Sequence, residues 1–263
     1  MILQLTNNAR IFFTLLSRDV KLLNANIRSM FIDCVVPLIT QVLTFGHLFP
    51  LLGMPASMIA PVYLGSMLSL FLQLGFSTVM KIAFDLNHNR FIDYQITLPI
   101  TKRWLFASYI VNHIIELALI TIPLYVVGML ILHNQFDISH ANLLGIIIMV
   151  SLMFVFFATF FYAIAFSFPL QWILENTWPR ILVPLWWISG GLVMWKLVYA
   201  WWPVLAYIML LSPFTYVSEG LRSSLLGNER FIHWQWCALA LLLFIFLNIL
   251  ALRRGVKKRL DPV

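Results

Sequence analysis

The stretch Lys81–Arg103, KIAFDLNHNRFIDYQITLPITKR, is the only long polar interval in the interior of a strongly apolar chain. It holds six charged residues, and Asn87, His88 and Asn89 are clustered at its middle. A charge-free apolar segment precedes it, and an almost charge-free one follows it. This pattern predicts a connection at a membrane surface between two membrane-spanning helices.

The composition excludes an ordinary soluble fold. Of the 263 residues, 62% are hydrophobic and 10% are charged, whereas a soluble domain carries about 25% charged residues. The mean hydropathy is +0.91. A core of this size cannot hide so much apolar surface, so lipid must be the solvent of the chain. We therefore predict an all-α polytopic membrane protein.

Six apolar segments reach the length of ~20 residues that a membrane span requires. They are Met30–Leu52, Met58–Met80, Trp104–Leu132, Ala141–Leu170, Ile181–Ala200 and Trp234–Leu252. Residues 8–28 precede them and have the periodicity of an amphipathic helix, with apolar residues at spacings of three and four and a basic opposite face. Such a helix lies in the headgroup plane with its cations toward anionic membrane lipid.

The basic residues predict the orientation. With the amino terminus inside, all of the 17 Lys and Arg residues except Lys196, Arg222 and Arg230 fall on inner segments. The positive-inside rule then places both termini, including the basic tail 253–263, in the cytoplasm, with a bacterial inner membrane as the expected location. These flanking residues account for the net charge of +7, and we expect no nucleic-acid partner because no basic stripe has interleaved stacking aromatics.

The outer connection 198–230 is too apolar for an ordinary loop. Pro203, Pro213, Gly220 and Gly227 divide it into short pieces, and its Trp and Tyr side chains suit a membrane interface. We predict two short helices that dip into the outer leaflet as a re-entrant hairpin, which is tolerated where protein covers the backbone breaks. An amphipathic hairpin that lies flat on the surface is the alternative.

One carboxylate, Glu116, lies well inside a predicted span. A charge there is costly and normally faces a cavity or a partner. Asn112 and His113 precede it by four and three residues, on the same helical face. A proton relay and a buried hydrogen-bond cluster both fit this intramembrane polar cluster, and a single acid favours the second.

The other motifs do not indicate a nucleotide-binding or metal-binding site. No glycine is followed by lysine, so the chain lacks a P-loop. The Ser189-Gly190-Gly191 sequence is similar to part of an ATPase signature but lies inside a predicted span, which indicates coincidence. Three potential zinc ligands occur on one outer loop, and we expect them to be solvated rather than to bind a metal; they are His133, Asp137 and His140.

Thr40, Gln41 and Gln73 are polar residues inside the first two predicted spans. They are candidates for lining a substrate path. Hydrogen bonding between helices explains them equally well.

The sequence LSPFTYVSEGLR at Leu211–Arg222, followed by Leu225-Leu226-Gly227, resembles the NPxTYxxExxRxxLLG stretch of the membrane subunits of ABC-2 type transporters. Ser212 stands where that family commonly has Asn. A second stretch, LPITKR at Leu98–Arg103, is similar to the turn that leads into the family's third span. The order of elements is also similar: an interfacial helix, six spans, a cytoplasmic coupling helix between spans two and three, and a re-entrant hairpin before span six.

The resemblance implies a half-transporter. Two copies would pair as a homodimer, and two separate ATPase subunits, which hold ATP and Mg, would dock beneath Ala83–Asp93. This chain would bind no cofactor and would not itself be an enzyme. The implied ATPase-coupling residues are Asp85, His88, Arg90 and Asp93, and the implied hairpin residues are Pro213, Tyr216, Glu219 and Arg222. The coupling stretch departs from the family, since LNHNRF replaces the common Glu-Arg-Glu-x-Gly-Thr.

Family members export amphipathic cargo such as lipid-linked polysaccharides, glycolipids and hydrophobic drugs. Trp186, Trp187 and Met194 in the fifth predicted span suit a lipid-like substrate, although aromatic packing also explains them. Two other functions stay open at this point. One is a proton-coupled secondary transporter that uses Glu116, and the other is a membrane scaffold without transport.

Overall fold

The computed structural model contains helices and turns and no strand over the residues that it describes, which are 2–97 and 99–260, with side chains for 8–97 and 99–259. In chain order the α-helices are α1 (Ile2–Leu43), α2 (Phe49–Leu51), α3 (Ala56–Ser66), α4 (Leu68–Phe84), α5 (Phe91–Ile96), α6 (Lys102–Ile131), α7 (Leu143–Ser167), α8 (Leu170–Asn176), α9 (Val183–Ile188), α10 (Trp195–Trp201), α11 (Pro203–Met209), α12 (Pro213–Leu226) and α13 (Trp234–Leu260). Three π-helical segments, Thr44–Leu48, Asp85–Asn89 and Thr177–Leu182, and a 3₁₀ turn at His133–Gln135 lie between them.

Five helical stretches in the described residues are long and apolar enough to cross a membrane, or six if one sharply bent helix pair is counted as a span. This confirms the all-helical fold of the described residues and is compatible with a multi-pass membrane protein. The stretches are Asn8–Leu51, Ala56–Asn89, Lys102–Ile131, Leu143–Ser167 and Trp234–Arg259. They agree with five of the six predicted spans.

The bundle has two ends, named here by one residue at each. At the Asn142 end, α7 and α13 begin together, with Gly145 facing the Trp234 ring. At the Arg259 end, the Arg259 guanidinium donates to the Phe168 carbonyl oxygen. The two helices therefore run parallel.

Contacts along the bundle set the direction of the other long helices. α4 runs the same way as α7, since Phe71 stacks on Phe157 and Gly75 lies against Phe161. α6 runs the opposite way, because Phe106 near its start meets Phe166 near the end of α7.

The first helix is continuous from Ile2 to Leu43, which corrects the prediction of a separate interfacial helix over 8–28. No glycine or proline lies between residues 9 and 36, so nothing ends the helix where it meets the first span. A helix of 42 residues is about 63 Å long at 1.5 Å per residue. This is twice the ~30 Å hydrocarbon core of a bilayer, so part of α1 must project beyond it.

α1 packs alongside α6. Near one end, the Asn8 side-chain oxygen accepts from the Thr101 N–H at 3.4 Å. Near the other, Gly46 faces Leu132. The two helices are therefore parallel neighbours, and the predicted position of 8–28 flat in the headgroup plane does not fit this packing.

The polar connection after the second span is a bent helical unit. α4 runs on to Phe84 and into the π-helical segment Asp85–Asn89. Arg90 then takes a left-handed conformation with φ 53°, which ends the helix and starts the six-residue α5. We call residues 84–97 the elbow.

The predicted fifth span, Ile181–Ala200, is wrong as a continuous helix. Gly190 adopts φ 67°, and the chain turns between the end of α9 at Ile188 and the start of α10. The returning segment lies earlier, over Leu170–Ile188, through α8, a π-helical segment and α9. Its Trp178 ring packs on Phe76 of α4. The glycine pair stands at the end of this segment, whereas hydropathy alone placed it in the middle.

The predicted outer hairpin consists of α11 and α12, which are bent by 98° at their junction. α12 begins against the middle of α7, where Phe214 packs on Phe157 and Phe160. It ends near the start of α7, where the Ser224 carbonyl oxygen accepts from the Asn142 N–H at 2.8 Å. α12 therefore runs from mid-depth to the Asn142 end.

The last helix, α13, extends to Leu260, beyond the predicted end at Leu252. Most of the predicted basic tail 253–263 is thus helical, and residues 261–263 lie outside the described residues. Leu98, the first residue of the LPITKR stretch, also lies outside them.

Candidate functional site

The second span carries a row of polar side chains on its exposed side. Ser69, Gln73, Ser77 and Lys81 recur at every fourth position of α4, which places them along one side of the helix. We call these four residues the polar stripe. Gln73, Ser77 and Lys81 are exposed, and Ser69 is half-buried.

The surroundings of the polar stripe make it unusual. In the apolar window of this span, 83% of residues are buried inside the chain, against 28–44% for the other four spans. A side that faces lipid is normally apolar, because polar groups in hydrocarbon lose their hydrogen bonds to water. The polar stripe is therefore suited to face water or another protein.

Gln41 of α1 joins one end of the polar stripe. Its amide nitrogen donates to the Ser69 hydroxyl at 2.7 Å, and its amide oxygen accepts from the Ser66 hydroxyl at 3.1 Å. Thr40 beside it is exposed, and its hydroxyl donates to the Val36 carbonyl oxygen. The structure thus places the predicted path residue Gln41 next to the face of α4 that carries Gln73, whereas the hydrogen bond of Thr40 stays within α1.

Two apolar cavities lie on the other side of the polar stripe. One, of ≈170 Å³, lies between Ser69 and Leu72 of α4 and the segment around Trp178. The second, of ≈270 Å³, lies toward α11. Trp186 and Trp187 line both cavities, so these two predicted path residues are brought to the polar stripe.

Trp186 also carries an unused hydrogen-bond donor. Its indole Nε1 is buried and has no partner among the residues that the structure describes. Met194, the third predicted residue of this set, is buried and is not among the lining residues of the two cavities. Its predicted role in the path is therefore not supported by its position.

Lys81, at the Arg259 side of the polar stripe, faces the intramembrane acid of α6. The Lys81 Nζ lies 3.9 Å from Glu116 Oε1, and His113 Nδ1 lies 2.9 Å from Glu116 Oε2. The Thr78 hydroxyl is 3.4 Å from His113 Nδ1. The His113 side chain is 1% exposed and that of Glu116 11%, whereas that of Lys81 is 62% exposed.

The predicted cluster of Asn112, His113 and Glu116 is therefore only partly correct. The Asn112 side-chain oxygen is buried without a partner within the described residues, and Lys81 and Thr78 of the second span take its place beside Glu116. Sequence reasoning missed Lys81 because it assigned that residue to the polar connection. The four-residue spacing from Ser69 to Lys81 was the available signal that α4 continues.

The charged pair of the outer hairpin is fully buried. Arg222 Nη1 lies 3.1 Å from Glu219 Oε1, and both side chains are 0% exposed. The guanidinium also donates to the carbonyl oxygens of Pro61 at 2.8 Å, Gly190 at 2.8 Å and Gly191 at 2.7 Å. These bonds satisfy a cation that would otherwise be strongly destabilising in a low-dielectric interior.

Glu219 ties two further segments to α12. Its Oε1 accepts from the Trp195 N–H at 3.1 Å, and its Oε2 accepts from the Ile232 N–H at 3.2 Å. The hairpin break itself is held by the Tyr216 hydroxyl, which donates to the Leu210 carbonyl oxygen at 2.8 Å, while Pro213 occupies the first turn of α12. The four predicted hairpin residues thus fix the hairpin rather than line a surface.

Gly65 of α3 is required for this packing. A Cβ atom there would collide with the Gly191 carbonyl oxygen and with the Arg222 guanidinium. The Ser189-Gly190-Gly191 sequence therefore has a structural role, because it turns the chain and supplies carbonyl oxygens to Arg222.

At the elbow, Asp85 is a capping residue. Its carboxylate accepts from the Phe91 N–H at 3.2 Å and from the Ile92 N–H at 2.9 Å, which satisfies donors at the start of α5. Arg90 lies at the break. Of the four predicted coupling residues, His88, Arg90 and Asp93 are exposed and available to a partner.

The elbow also exposes aromatic side chains that the sequence analysis did not single out. Phe84, Phe91 and Tyr94 are exposed by 40%, 47% and 63%. α1 contacts the elbow through the Arg18 guanidinium, which lies 5.4 Å from the Phe91 ring centroid, and it contacts the start of α6 through Phe12, which packs against Trp104. An exposed apolar patch of this kind marks an interaction surface.

Comparisons with protein-family models, with curated proteins and with solved structures each found no match. Within residues 2–97 and 99–260, no group of three His, Cys, Asp or Glu side chains could hold a metal ion. The function is therefore argued from the polar stripe, the buried ion pair and the elbow.

Proposed function

We propose that this chain is the membrane subunit of an ATP-driven exporter of the ABC-2 type, which moves an amphipathic or lipid-like substrate across or out of the membrane. The observation that carries the proposal is that one helix, α4, joins the polar stripe to the exposed elbow. ATP and Mg are held by a separate ATPase subunit, and no residue of this chain is catalytic. A push on the elbow displaces α4 as a rigid body and moves the polar stripe.

The exposed surface of the elbow is suited to the docking of an ATPase subunit. Phe84, Phe91 and Tyr94 form its apolar part, and His88 and Asp93 supply polar contacts. The Arg259 end also carries the basic residues of α13, which the positive-inside rule assigns to the cytoplasm. An ATPase that binds ATP in the cytoplasm meets the elbow on that side.

The polar stripe is evidence that a second copy of the chain packs against α4. Gln73 and Ser77 make no hydrogen bond within the part of the chain that the structure describes, although they lie in a membrane-spanning helix. A symmetric partner that faces them closes a path lined by polar groups. Beside that path, the cavities at Trp186 and Trp187 accept the apolar part of a cargo molecule.

We assign six crossings to the chain, with both termini in the cytoplasm of a bacterial inner membrane. The fifth is the broken segment Leu170–Ile188, which runs back toward the Asn142 end. α11 and α12 form a re-entrant hairpin whose backbone breaks are covered by α3 and α7. The buried pair of Glu219 and Arg222 is consistent with such burial.

A proton-coupled secondary transporter is the second candidate. One observation favours it: His113 Nε2 is buried without a partner among the described residues, next to Glu116. The contact with Lys81, whose Nζ lies 3.9 Å from Glu116 Oε1, argues against it, because an ion pair that joins α4 to α6 already accounts for the buried acid. If Glu116→Gln abolishes transport while loss of the ATPase has no effect, this second candidate is correct.

The test of the exporter proposal is co-purification from native membranes in mild detergent, followed by an ATPase assay. Tyr94→Ala and His88→Ala alter the exposed elbow without removing the Asp85 cap. Trp236→Ala is the matched control, since Trp236 is 67% exposed but lies near the Asn142 end.

We expect an ATPase subunit to co-purify with the parent chain and with the Trp236 variant. The elbow variants should retain at least tenfold less of it, a loss of about 1.4 kcal/mol in binding free energy. A chain that purifies without any ATPase, or elbow variants that retain it fully, would contradict the proposal.

A further inference from the structure

A polar cavity of ≈560 Å³ lies at the Asn142 end, away from the polar stripe and the elbow. Three connections meet there: the start of α3, the loop between α6 and α7, and the turn between α12 and α13. Cavities of about 300–1,000 Å³ are typical of sites for small molecules. This cavity has no part in the exporter proposal.

The walls of the cavity are held by specific bonds. Its floor includes Pro61, whose carbonyl oxygen accepts from buried Arg222 at 2.8 Å. Gly227 in its rim has φ 94°, and a Cβ atom there would come within 3.1 Å of His140. Lys196 Nζ donates to the Glu229 carbonyl oxygen at 2.8 Å. A site built in this way needs little ordering when a ligand binds.

The lining is polar and offers both hydrogen-bond acceptors and donors. The Gln135 side-chain oxygen is buried and has no partner among the described residues. The carboxylates of Asp137 and Glu229 also line the cavity. Hydrogen bonds from the Ser139 hydroxyl, at 2.6 Å, and from its N–H hold the pKa of Asp137 below its usual range. Arg230 supplies the donors of one guanidinium.

This chemistry excludes several ligand classes. Two carboxylates disfavour an anion, and the polar lining disfavours an acyl chain. Within the described residues, the acids and histidines here do not form a group that could hold a metal ion. A neutral molecule with many hydroxyl groups fits, because each hydroxyl donates to a carboxylate or amide oxygen and can accept from Arg230.

We infer that this cavity binds a hydroxyl-rich ligand of the size of a mono- or disaccharide, with the Gln135 oxygen and the carboxylates of Asp137 and Glu229 as acceptors. The inference does not depend on the exporter proposal, since binding at this cavity requires neither an ATPase nor a second copy. The two can therefore fail separately.

The experiment measures sugar binding to the full chain in lipid nanodiscs that contain no glycolipid. The probes are glucose, N-acetylglucosamine and maltose, and the binding of each is measured by saturation-transfer NMR. The protein is prepared in a detergent without a sugar headgroup, because a maltoside headgroup would compete. The variants are Gln135→Leu and Glu229→Gln, and Asn134→Leu is the matched control, a neighbour on the same turn that is not among the lining residues.

We expect saturable binding of at least one probe, weakened at least tenfold in Gln135→Leu and Glu229→Gln and unchanged in Asn134→Leu. Thermal unfolding of each variant is compared with the parent, and if Gln135→Leu does not fold, Glu229→Gln decides the result. The inference is overturned if none of the three sugars binds saturably at millimolar concentrations, or if both lining variants bind as well as the control.

Discussion

Arg222 is a buried cation that holds three separate segments together: α12, α3 and the turn after α9. Its guanidinium bonds Glu219 and the carbonyl oxygens of Pro61, Gly190 and Gly191, with no exposed surface. Removing one partner of a buried ion pair leaves an uncompensated charge, which destabilises a fold by about 3–5 kcal/mol.

We expect Arg222→Met to lower the free energy of unfolding by about 3–5 kcal/mol, because Glu219 loses its cation and three carbonyl oxygens lose their donor. Chemical unfolding in detergent measures this. Arg222→Lys should recover only part of the loss, since an ammonium cannot reproduce the planar fork of a guanidinium. Arg254→Met, at an exposed position, is the control and should be close to neutral. Equal stability of the Arg222 and Arg254 variants would show that the ion pair is not buried.

The sequence identified Glu219 and Arg222 through a motif but not through their contacts. The Arg222 partners Gly191 and Pro61 lie 31 and 161 residues away in the chain, and nothing in local periodicity predicts such pairings. Lys81 and Glu116 present the same difficulty, because their contact depends on how far α4 continues beyond its predicted end.

At the scale of single elements, the elbow combines a structural residue with exposed ones. Asp85 caps α5 through the N–H groups of Phe91 and Ile92, whereas His88 and Tyr94 point to the surface. Their variants should therefore weaken partner binding by different routes.

We expect Asp85→Ala to speed amide hydrogen exchange across Phe91–Ile96, because loss of a helix cap costs about 0.5–2 kcal/mol. His88→Ala should leave that exchange unchanged while still weakening co-purification of the ATPase. Hydrogen exchange with mass spectrometry distinguishes the two effects. If Asp85→Ala leaves the exchange of α5 unaltered, the capping role is wrong.

The contact between α3 and the break after α9 depends on a glycine. We expect Gly65→Ala to destabilise the fold by about 1–3 kcal/mol or more, because its Cβ would meet backbone that cannot move aside. Gly191→Ala, on the other side of the same contact, is the control, since its Cβ would find its nearest neighbour at 3.4 Å. Thermal unfolding compares the two, and a Gly65 variant as stable as the control would refute this packing.

Hydropathy and length were sufficient to predict the helices α4, α6, α7 and α13. They failed at α1, where the absence of any breaker joins two predicted elements into one helix. They failed again over Ile181–Ala200, because an apolar run shows composition but not where the backbone turns. Gly190 was the signal there, and its φ of 67° explains the break.

At the scale of the whole molecule, the proposed homodimer requires that another protein surface meets the polar stripe. The test uses a chain whose buried Cys34 and Cys237 are replaced by alanine. In this chain we expect Gln73→Cys to form disulfide-linked dimers in the membrane. Leu119→Cys is the control, since Leu119 is 45% exposed on an apolar side of α6 that suits lipid. Non-reducing gels measure the dimer, and cross-linking at Leu119 but not at Gln73 would place the interface elsewhere.

The most direct test of the central claim is the effect of nucleotide on Ser77→Cys, in the same cysteine-replaced chain within its native membrane complex. Its reaction rate with a hydrophilic thiol reagent is measured with and without a non-hydrolysable ATP analogue and Mg²⁺. We expect a severalfold change in rate at Ser77, because the motor moves the elbow and α4 with it, and none at Leu119→Cys. An unchanged rate at Ser77, in a complex shown to bind the nucleotide, would contradict the claim that an ATPase drives the polar stripe.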